Sequence, residues 1–459
     1  MKKSLSLLSC NATQKSTKKY WLGLRHYGCH GILFRTLPIL MFFMLCFSSF
    51  AQNGIFVDST ANVFNTISRC NSAGNRQIHY VKTSDSTGIF LFQFNLRQSK
   101  SPMGTYKKIP ISGYNVTDFV VVRDTIYMCG IKTGGRGFYA WMRLGPSPTS
   151  VQMKVYHLRD DTSFVTNPRR IQVFNSFSGT NVLLVGDLIN PSNQFYIPTI
   201  VHVRGNTCYA AYLPGEYFDD IAVLNNYIVT SSRKGYNNPT NTSQLIRVTP
   251  KSILPLHNSL FKKYYHTKTP KTQSRVLLQH TDDNNFVTVY HNDYGFYINS
   301  LSVGSGGIPL ISQYCTVDTT ATNIFDVSYN IFDSTLMVIH SQSLHSTVSR
   351  FNCSLFPNIS WIESYTPDVS VFCSGCMALT KSLCRNSSSS KFLVSGILDN
   401  HFMVWNTNGS CNLSQNIGTT IIQTGLNNYE NQVIIDTIGV TNWTLSRPIQ
   451  THTVYGVCQ

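Results

Sequence analysis

Short apolar runs alternate with polar turns along most of the chain, and three segments repeat the same order of features. Each has an Asp that leads into a predicted strand, then a polar turn and a second strand, at residues 116–129, 218–229 and 324–339. A third strand candidate follows each pair, at residues 137–141, 244–248 and 346–351. No amphipathic stretch at helical spacing exceeds about ten residues, so the pattern predicts strands and few helices.

The spacing between these repeats predicts further units. Asp118 precedes Asp220 by 102 residues, and Asp220 precedes Asp326 by 106. Each interval is about twice the 40 to 50 residues of a propeller blade, so one more unit is expected in each gap. Strand candidates fill the gaps at residues 170–173, 182–186, 275–278, 286–290 and 295–298. Outer units at 77–81 with 89–94, and at 376–379 with 392–396 and 401–405, bring the total to seven.

These units predict an all-β domain over residues 52–459, a single β-propeller of about seven blades with a range of six to eight. A small sheet with two apolar faces buries both when copies stack radially. We expect the strands at 54–57, 433–435 and 453–457 to complete the terminal blade together. The alternative is a tandem of β-sandwiches, which would not require even spacing.

The acidic composition supports the prediction of strands. Asp outnumbers Glu by 18 to 3, and Asn, Ser, Thr, Tyr and Phe are abundant. Glu favours helices, whereas Asp and Asn favour turns. A chain of many short strands joined by polar turns has this balance.

The first 51 residues have the pattern of a signal peptide. An apolar run at 37–47 is followed by Ser49-Phe50-Ala51, a small-x-small cleavage site, and seven basic residues with no acidic one precede the cleavage point. A membrane anchor is the alternative, but the apolar run is shorter than the roughly 20 residues needed to span a bilayer. We therefore expect export to the periplasm, the outer surface or the medium, with no transmembrane span after cleavage.

Cleavage would change the charge of the protein. The formal net charge of +16 would fall to +9, because the first 51 residues hold seven of the 37 basic residues and none of the 21 acidic ones. The remaining basic residues are scattered, so the pattern does not favour a nucleic-acid partner.

One family resemblance covers most of the mature chain. The strand pattern at 118–121, 125–130 and 137–141, together with the export signal that ends at 49–52, resembles uncharacterised secreted β-propeller-like proteins of Gram-negative anaerobic bacteria. The resemblance implies secretion and a propeller fold. It carries no catalytic residue to this chain, and the Trp-Asp, kelch and sialidase signatures are missing from the sequence.

A second resemblance concerns modification. An Asp, then Ser or Thr, then an aliphatic residue or Thr is similar to the O-glycosylation acceptor of some such bacteria. This triplet implies acceptor sites at Ser59, Ser86, Thr125, Thr319, Ser334 and Thr437. The alternative is local structure, because a turn Asp often precedes a β-branched residue at the start of a strand.

Candidate chemistry is sparse in the sequence. Cys373 and Cys376 have redox spacing without a surrounding βαβ pattern, so a structural disulfide among them and Cys384 is the favoured interpretation. No His pattern suggests a metal site beside them, and no cofactor motif is present. The densest acidic group is Glu216 with Asp219 and Asp220, for which turn capping is the default explanation over glycosidase chemistry.

Two functional hypotheses remain open. The first and favoured one is a noncatalytic binding or scaffold protein that uses loops at one end of the propeller to hold a glycan or a protein at the cell surface. The second is an extracellular hydrolase or lyase whose site is assembled from several blades. Such a site would escape linear motifs because its residues are distant in sequence.

Overall fold

The computed structural model describes the strands given below and part of the turns between them, within residues 56–456. The described residues form 35 β-strands, no α-helix and one 3-10 turn at Lys251–Ile253. No helix among them is long and apolar enough to cross a membrane. The chain divides into two units between Ala51 and Gln52, and every described residue belongs to the second. The prediction of an all-β protein is confirmed.

The strands form seven antiparallel sheets of five strands each, numbered here in chain order. The first strand, β1 (Phe56–Asp58), precedes sheet 1 in the chain and pairs in sheet 7. Sheet 1 contains β2 (Val63–Cys70), β3 (Gln77–Thr83), β4 (Thr87–Gln93) and β5 (Thr105–Ser112). Sheet 2 contains β6 (Tyr114–Val122), β7 (Thr125–Lys132), β8 (Arg136–Arg143) and β9 (Ser150–Leu158). Sheet 3 contains β10 (Val165–Ser176), β11 (Gly179–Asn190), β12 (Phe195–Arg204) and β13 (Thr207–Tyr212).

The next three sheets repeat this meander, and the last has three consecutive strands. Sheet 4 contains β14 (Glu216–Val223), β15 (Tyr227–Lys234), β16 (Gln244–Pro250) and β17 (Lys263–Thr267). Sheet 5 contains β18 (Leu277–His280), β19 (Asn285–Asn292), β20 (Gly295–Val303) and β21 (Pro309–Val317). Sheet 6 contains β22 (Ala321–Asn330), β23 (Thr335–Gln342), β24 (His345–Leu355) and β25 (Asn358–Pro367). Sheet 7 contains β26 (Ala378–Arg385), β27 (Phe392–Leu398) and β28 (His401–Asn406), with β1 beside β28.

The C-terminal segment supplies the fifth strand of every sheet. Its strands pair with the outer edges of sheets 6, 5, 4, 3, 2, 1 and 7, in that order. They are β29 (Asn412–Ser414), β30 (Thr419–Ile422), β31 (Leu426–Glu430), β32 (Ile434–Ile438), β33 (Val440–Pro448), β34 (Gln450–Thr453) and β35 (Tyr455–Gly456). The segment therefore visits six sheets in the reverse of chain order before it reaches sheet 7.

The terminal strands meet in sheet 7, with one exception to the sequence prediction. Phe56 pairs with Val404 of β28, and Val57 pairs with Tyr455 of β35. The prediction that residues 433–435 also join this sheet is wrong, because β32 pairs with β13 in sheet 3. A strand so short takes its partner from the sheet edge that the chain passes, which the sequence pattern does not encode.

Apolar side chains on both faces of the inner strands form the core. In β11, Val182 and Leu184 face sheet 2, whereas Leu183 and Val185 face sheet 4. This follows from the alternation of side chains along a strand. Further apolar clusters fill the spaces between sheets 1 and 2, sheets 4 and 5, and sheets 5 and 6. An inner sheet therefore packs against a neighbour on each side.

The first strands of successive sheets contact one another. β2 contacts β6, β6 contacts β10, β10 contacts β14, β14 contacts β18, β18 contacts β22, and β22 contacts β26. β26 in turn contacts β2. These first strands bring residues from all the sheets to the candidate site described next.

Candidate functional site

A β-bulge places one charged side chain in the first strand of each of four sheets. The register shifts immediately before Asp118 in β6, Arg170 in β10, Asp220 in β14 and Asp326 in β22. A bulge adds one residue to a strand and so re-aims the side chain that follows it. All four residues are buried at 9% exposure or less.

Glycine in the second strand makes room for two of these bulges. A Cβ on Gly130 would lie 1.9 Å from the carbonyl oxygen of Asn115, and one on Gly186 would lie 2.1 Å from that of Asn167. Real Cβ atoms are not found so close to backbone oxygens. The glycine opposite the bulge therefore allows the first strand to approach closely.

Arg69 in β2 joins two carboxylates from other sheets. Its Nη2 lies 3.0 Å from Asp118 Oδ1, and its Nη1 lies 3.2 Å from Asp326 Oδ2. The planar guanidinium presents separate donors at fixed angles, so it can serve both acceptors at once. One side chain thus connects sheets 1, 2 and 6.

Arg170 extends this connection into sheet 4. It lies 3.7 Å from both Asp118 Oδ1 and Asp220 Oδ1. We call the resulting group the Arg–Asp cluster; it alternates acid and base in the order Asp326, Arg69, Asp118, Arg170 and Asp220. With three carboxylates and two guanidinium groups, its formal charge is −1.

The carboxylates also bind backbone N–H groups of neighbouring sheets. Ile171 of sheet 3 donates to Asp118 Oδ2 at 3.2 Å, and Leu278 of sheet 5 donates to Asp220 Oδ2 at 2.9 Å. Within sheet 4, Ile221 donates to Asp220 Oδ1 at 2.9 Å. Each of these two Asp residues therefore links its own sheet to the next one along the chain.

Burial and charge act against each other in the cluster. Burial alone would lower the pKa of Arg69, but the carboxylates of Asp326 and Asp118 outweigh it and raise that pKa. The pKa of Arg170 is raised in the same way, with Asp220 as its strongest partner. Both guanidinium groups stay charged at any physiological pH.

Asp220 has the carboxyl group most affected by its surroundings. Burial raises its pKa to about 6, although Arg170 and the two backbone donors favour the ionised form. A carboxyl that titrates near neutrality is suited to proton transfer. Asp220 is nevertheless 12% exposed in its side chain and bound to backbone on two sides, which limits any contact with a substrate.

Three further buried hydrogen bonds involve serine hydroxyls, two of them at Ser68 and one in sheet 6. Ser68 of sheet 1 hydrogen-bonds to His79 and to Ser395 of sheet 7. Burial lowers the pKa of His79 to about 3, so this imidazole is neutral at physiological pH. In sheet 6, His340 Nε2 lies 2.7 Å from Ser349 Oγ. Each Ser–His pair satisfies one ring nitrogen of a buried imidazole, and all four side chains are at most 1% exposed.

The predicted acidic group is placed differently from the sequence interpretation. Asp219 and Asp220 lie inside β14 and are buried, so the turn-capping explanation for them is wrong. Glu216 begins the same strand. Among the described residues, no group of three or more His, Cys, Asp or Glu could hold a metal ion.

The predicted modification and disulfide residues are spread over the molecule. Thr125 begins β7 and Ser334 lies in the turn before β23, and both are partly exposed; Thr437 lies in β32 and Cys384 in β26. Asp333 accepts hydrogen bonds from the backbone and hydroxyl of Thr335, as expected of a turn Asp. Outside the described residues lie Ser59, Ser86, Thr319, Cys373 and Cys376. Cys129 and Cys353 are buried free thiols.

Sequence reasoning found three members of the cluster as repeat markers but missed both arginines. Arg170 carried a signal, since it lies 52 residues after Asp118 and 50 before Asp220 and thus occupies the repeat position of its unit. Arg69 carried none. The bulge of β2 lies before Asn65, four residues ahead of Arg69, so Arg69 does not share the repeat position.

Comparison with known proteins adds only distant structural likeness. No protein-family description and no curated protein matches the sequence. Among solved structures, the chain is similar to Kluyveromyces lactis Hsv2, at 12% identity and a TM-score of 0.41, over 80% of this chain and 99% of that one. The Hsv2 of Kluyvelomyces marxianus is similar at 10% identity and a TM-score of 0.40, over 80% and 99% of the two chains. Likeness at this level assigns neither family nor function.

Proposed function

We propose that the seven sheets close into a single seven-bladed β-propeller. The contacts of β26 with both β22 and β2 support closure, because they connect the last sheet to the first. The C-terminal segment supports it too, since one residue separates β34 in sheet 1 from β35 in sheet 7. A tandem of sandwiches would pair sheets two by two, whereas sheet 2 packs on both sheet 1 and sheet 3. Closure would place the Arg–Asp cluster on the propeller axis.

On this fold we propose a noncatalytic binding or scaffold protein. The observation that carries this proposal is that the charged groups of the Arg–Asp cluster bind one another and the backbone of neighbouring sheets. Asp118 and Asp220 bind arginine and backbone N–H groups at once, and Arg69 holds two carboxylates. Side chains that bind in this way stabilise the contacts between sheets. A rigid ring of this kind presents its loops as a fixed recognition surface.

We propose a glycan or a protein at the cell surface as the partner. Phe64 offers a first residue to test as a contact, because it is 63% exposed at the bulge of β2 and no other large apolar side chain among the described residues is exposed. Exposed aromatic side chains contribute large contact area at low entropic cost. The neighbouring Val63 donates its N–H to the carbonyl oxygen of Asn400, which fixes this part of β2 against sheet 7.

The test compares binding and turnover in the same samples. Residues 52–459 would be applied to a glycan array and a surface-protein array, as wild type, Phe64→Ser and Asp220→Asn, with released reducing ends measured in parallel. We expect binding of at least one class by wild type, undiminished binding by folded Asp220→Asn, and no release of sugar. Phe64→Ser should weaken the binding at least fivefold if the contact lies at β2. Binding to neither array would contradict the proposal.

The second candidate is an extracellular hydrolase or lyase with a site assembled from several blades. The observation in its favour is that acids and arginines from five sheets converge, with the pKa of Asp220 raised to about 6. The same assay separates the two candidates. Sugar release that disappears in Asp220→Asn, while that variant keeps its fold by circular dichroism, would favour catalysis over scaffolding.

Export is part of the proposal and has its own test. Expression of the full chain in a Gram-negative host, followed by fractionation and N-terminal sequencing, should give a mature protein that begins at Gln52. Intact mass would at the same time report any glycan at Thr125 or Ser334. A protein that keeps residues 1–51 in the membrane fraction would favour the anchor alternative.

A further inference from the structure

The C-terminal strands cover an edge on every sheet. Without them, the outermost strands would be β5, β9, β13, β17, β21, β25 and β1. Exposed edge strands present unpaired N–H and C=O groups and readily pair with other chains. A single segment of 45 residues, Asn412 to Gly456, removes all seven of these edges.

The length of this segment suits a path around the proposed ring. Extended chain rises about 3.3 Å per residue, so 45 residues span about 150 Å. With strands about 4.8 Å apart and sheets about 10 Å apart, the fifth strands would lie about 30 Å from the axis, and six of seven steps around that circle measure about 160 Å. The links of only one to four residues between successive strands agree with a nearly continuous path.

The order of pairing gives this path a direction. Ser414 of β29 pairs with Tyr365, only 49 residues earlier, whereas Tyr455 of β35 pairs with Val57, 398 residues earlier. Closing a longer loop costs more conformational entropy. Once β29 is docked, however, the next edge is reached through four residues, so each docked strand makes the following pairing local.

We propose that residues 412–456 form a detachable belt, which docks strand by strand from β29 to β35 after the seven sheets have formed and then clamps the ring. This inference rests on the proposed propeller closure. The belt would open without unfolding of the first strands, because its strands pair only with the outer edges of the sheets. The outer edges of the sheets are thus covered by this chain's own C-terminal segment.

Two adjacent proline substitutions in β33 test the belt. Thr444 pairs with Lys154 and Leu445 with Met153 in β9. Successive N–H groups of a strand point to opposite sides, so one of Thr444→Pro and Leu445→Pro must remove a ladder hydrogen bond while the other faces away. The pair therefore contains its own control, and hydrogen exchange of the full chain by mass spectrometry gives the readout.

We expect one of the two variants to speed exchange at least tenfold in β33, β34 and β35, and less than twofold in β29 to β32 and in the first strands. The other variant should resemble wild type. Equal loss of protection along all seven belt strands, or in the first strands as well, would overturn the proposal, as would no change in either variant.

Light scattering gives a second test. A dimer in which two copies exchange their belts would also overturn the proposal. Failure of ring closure would appear separately, as unprotected β2 and β26 amides in wild type.

Discussion

Asp220 and Leu278 join the first strands of sheets 4 and 5, through a 2.9 Å hydrogen bond from the Leu278 N–H to the carboxylate. The second carboxylate oxygen accepts from Ile221, and Arg170 lies 3.7 Å away. Because burial raises the pKa of this carboxyl to about 6, we expect the contact between the two sheets to depend on pH.

The pH dependence can be predicted from the raised pKa of Asp220. The folded value of about 6 exceeds the unfolded value of about 3.9, so the folded state binds more protons between pH 4 and 6. This contribution to stability is fully present below about pH 4 and is lost as pH rises through about 6, by up to about 3 kcal/mol. Urea unfolding of wild type and Asp220→Asn at pH 4.5 and 7.5 checks it. The variant should lack this decrease, and equal pH slopes in the two proteins would contradict the assignment.

Removal of Arg69 should destabilise the fold strongly. Arg69→Met would leave the buried carboxylates of Asp118 and Asp326 without the guanidinium that joins them, at a cost of about 3–5 kcal/mol. Arg69→Lys is the matched control, because it keeps the charge but cannot reach both acceptors with fixed geometry; we expect an intermediate loss. Chemical denaturation gives both values. A loss below about 1 kcal/mol in Arg69→Met would mean that the ion pairs do not hold the sheets together.

Gly130→Ala should disrupt the bulge of β6. The added Cβ would lie 1.9 Å from the carbonyl oxygen of Asn115, so backbone must move, and we expect a loss of about 3 kcal/mol or more. Gly113→Ala is the control. That glycine has φ +78° and nothing within 4 Å of an added Cβ, so only the left-handed conformation is penalised, by about 1–2 kcal/mol. Thermal melts that rank the two in the opposite order would contradict the close approach.

Arg123→Gly should stabilise the protein slightly. Arg123 is exposed in the turn between β6 and β7 with φ +55°, a conformation that costs a non-glycine residue about 1–2 kcal/mol. Glycine relieves this strain but adds freedom to the unfolded chain, so we expect a net gain of about 0.5 kcal/mol. Arg136→Gly, at an exposed position in β8 without positive φ, should destabilise instead by about 0.5–1 kcal/mol. Guanidinium denaturation of the two variants distinguishes these outcomes.

The sequence predicted the sheets better than it predicted the site. Asp118, Asp220 and Asp326 marked the repeat because the same bulged strand recurs every 50 residues or so, and their alternating apolar neighbours fixed the strands. The role of these residues was not predicted. Whether a polar residue next to a strand caps a turn or faces the interior depends on a bulge, and a bulge is visible only in the pairing register.

Along this chain, apolar and polar residues alternate with a period of two between Asp- and Asn-rich turns. This local pattern by itself determined an all-β protein of repeated small sheets, because strand formation depends on which residues can be buried on each face. Only the tertiary structure decided that Arg69 contacts Asp326, which lies 257 residues later in the chain. It also decided that one C-terminal segment pairs with the outer edge of all seven sheets. Backbone N–H and C=O groups pair with whichever edge is within reach, and a carboxylate binds whichever guanidinium is brought beside it. Such partners are selected by proximity in the folded molecule, which no local pattern specifies.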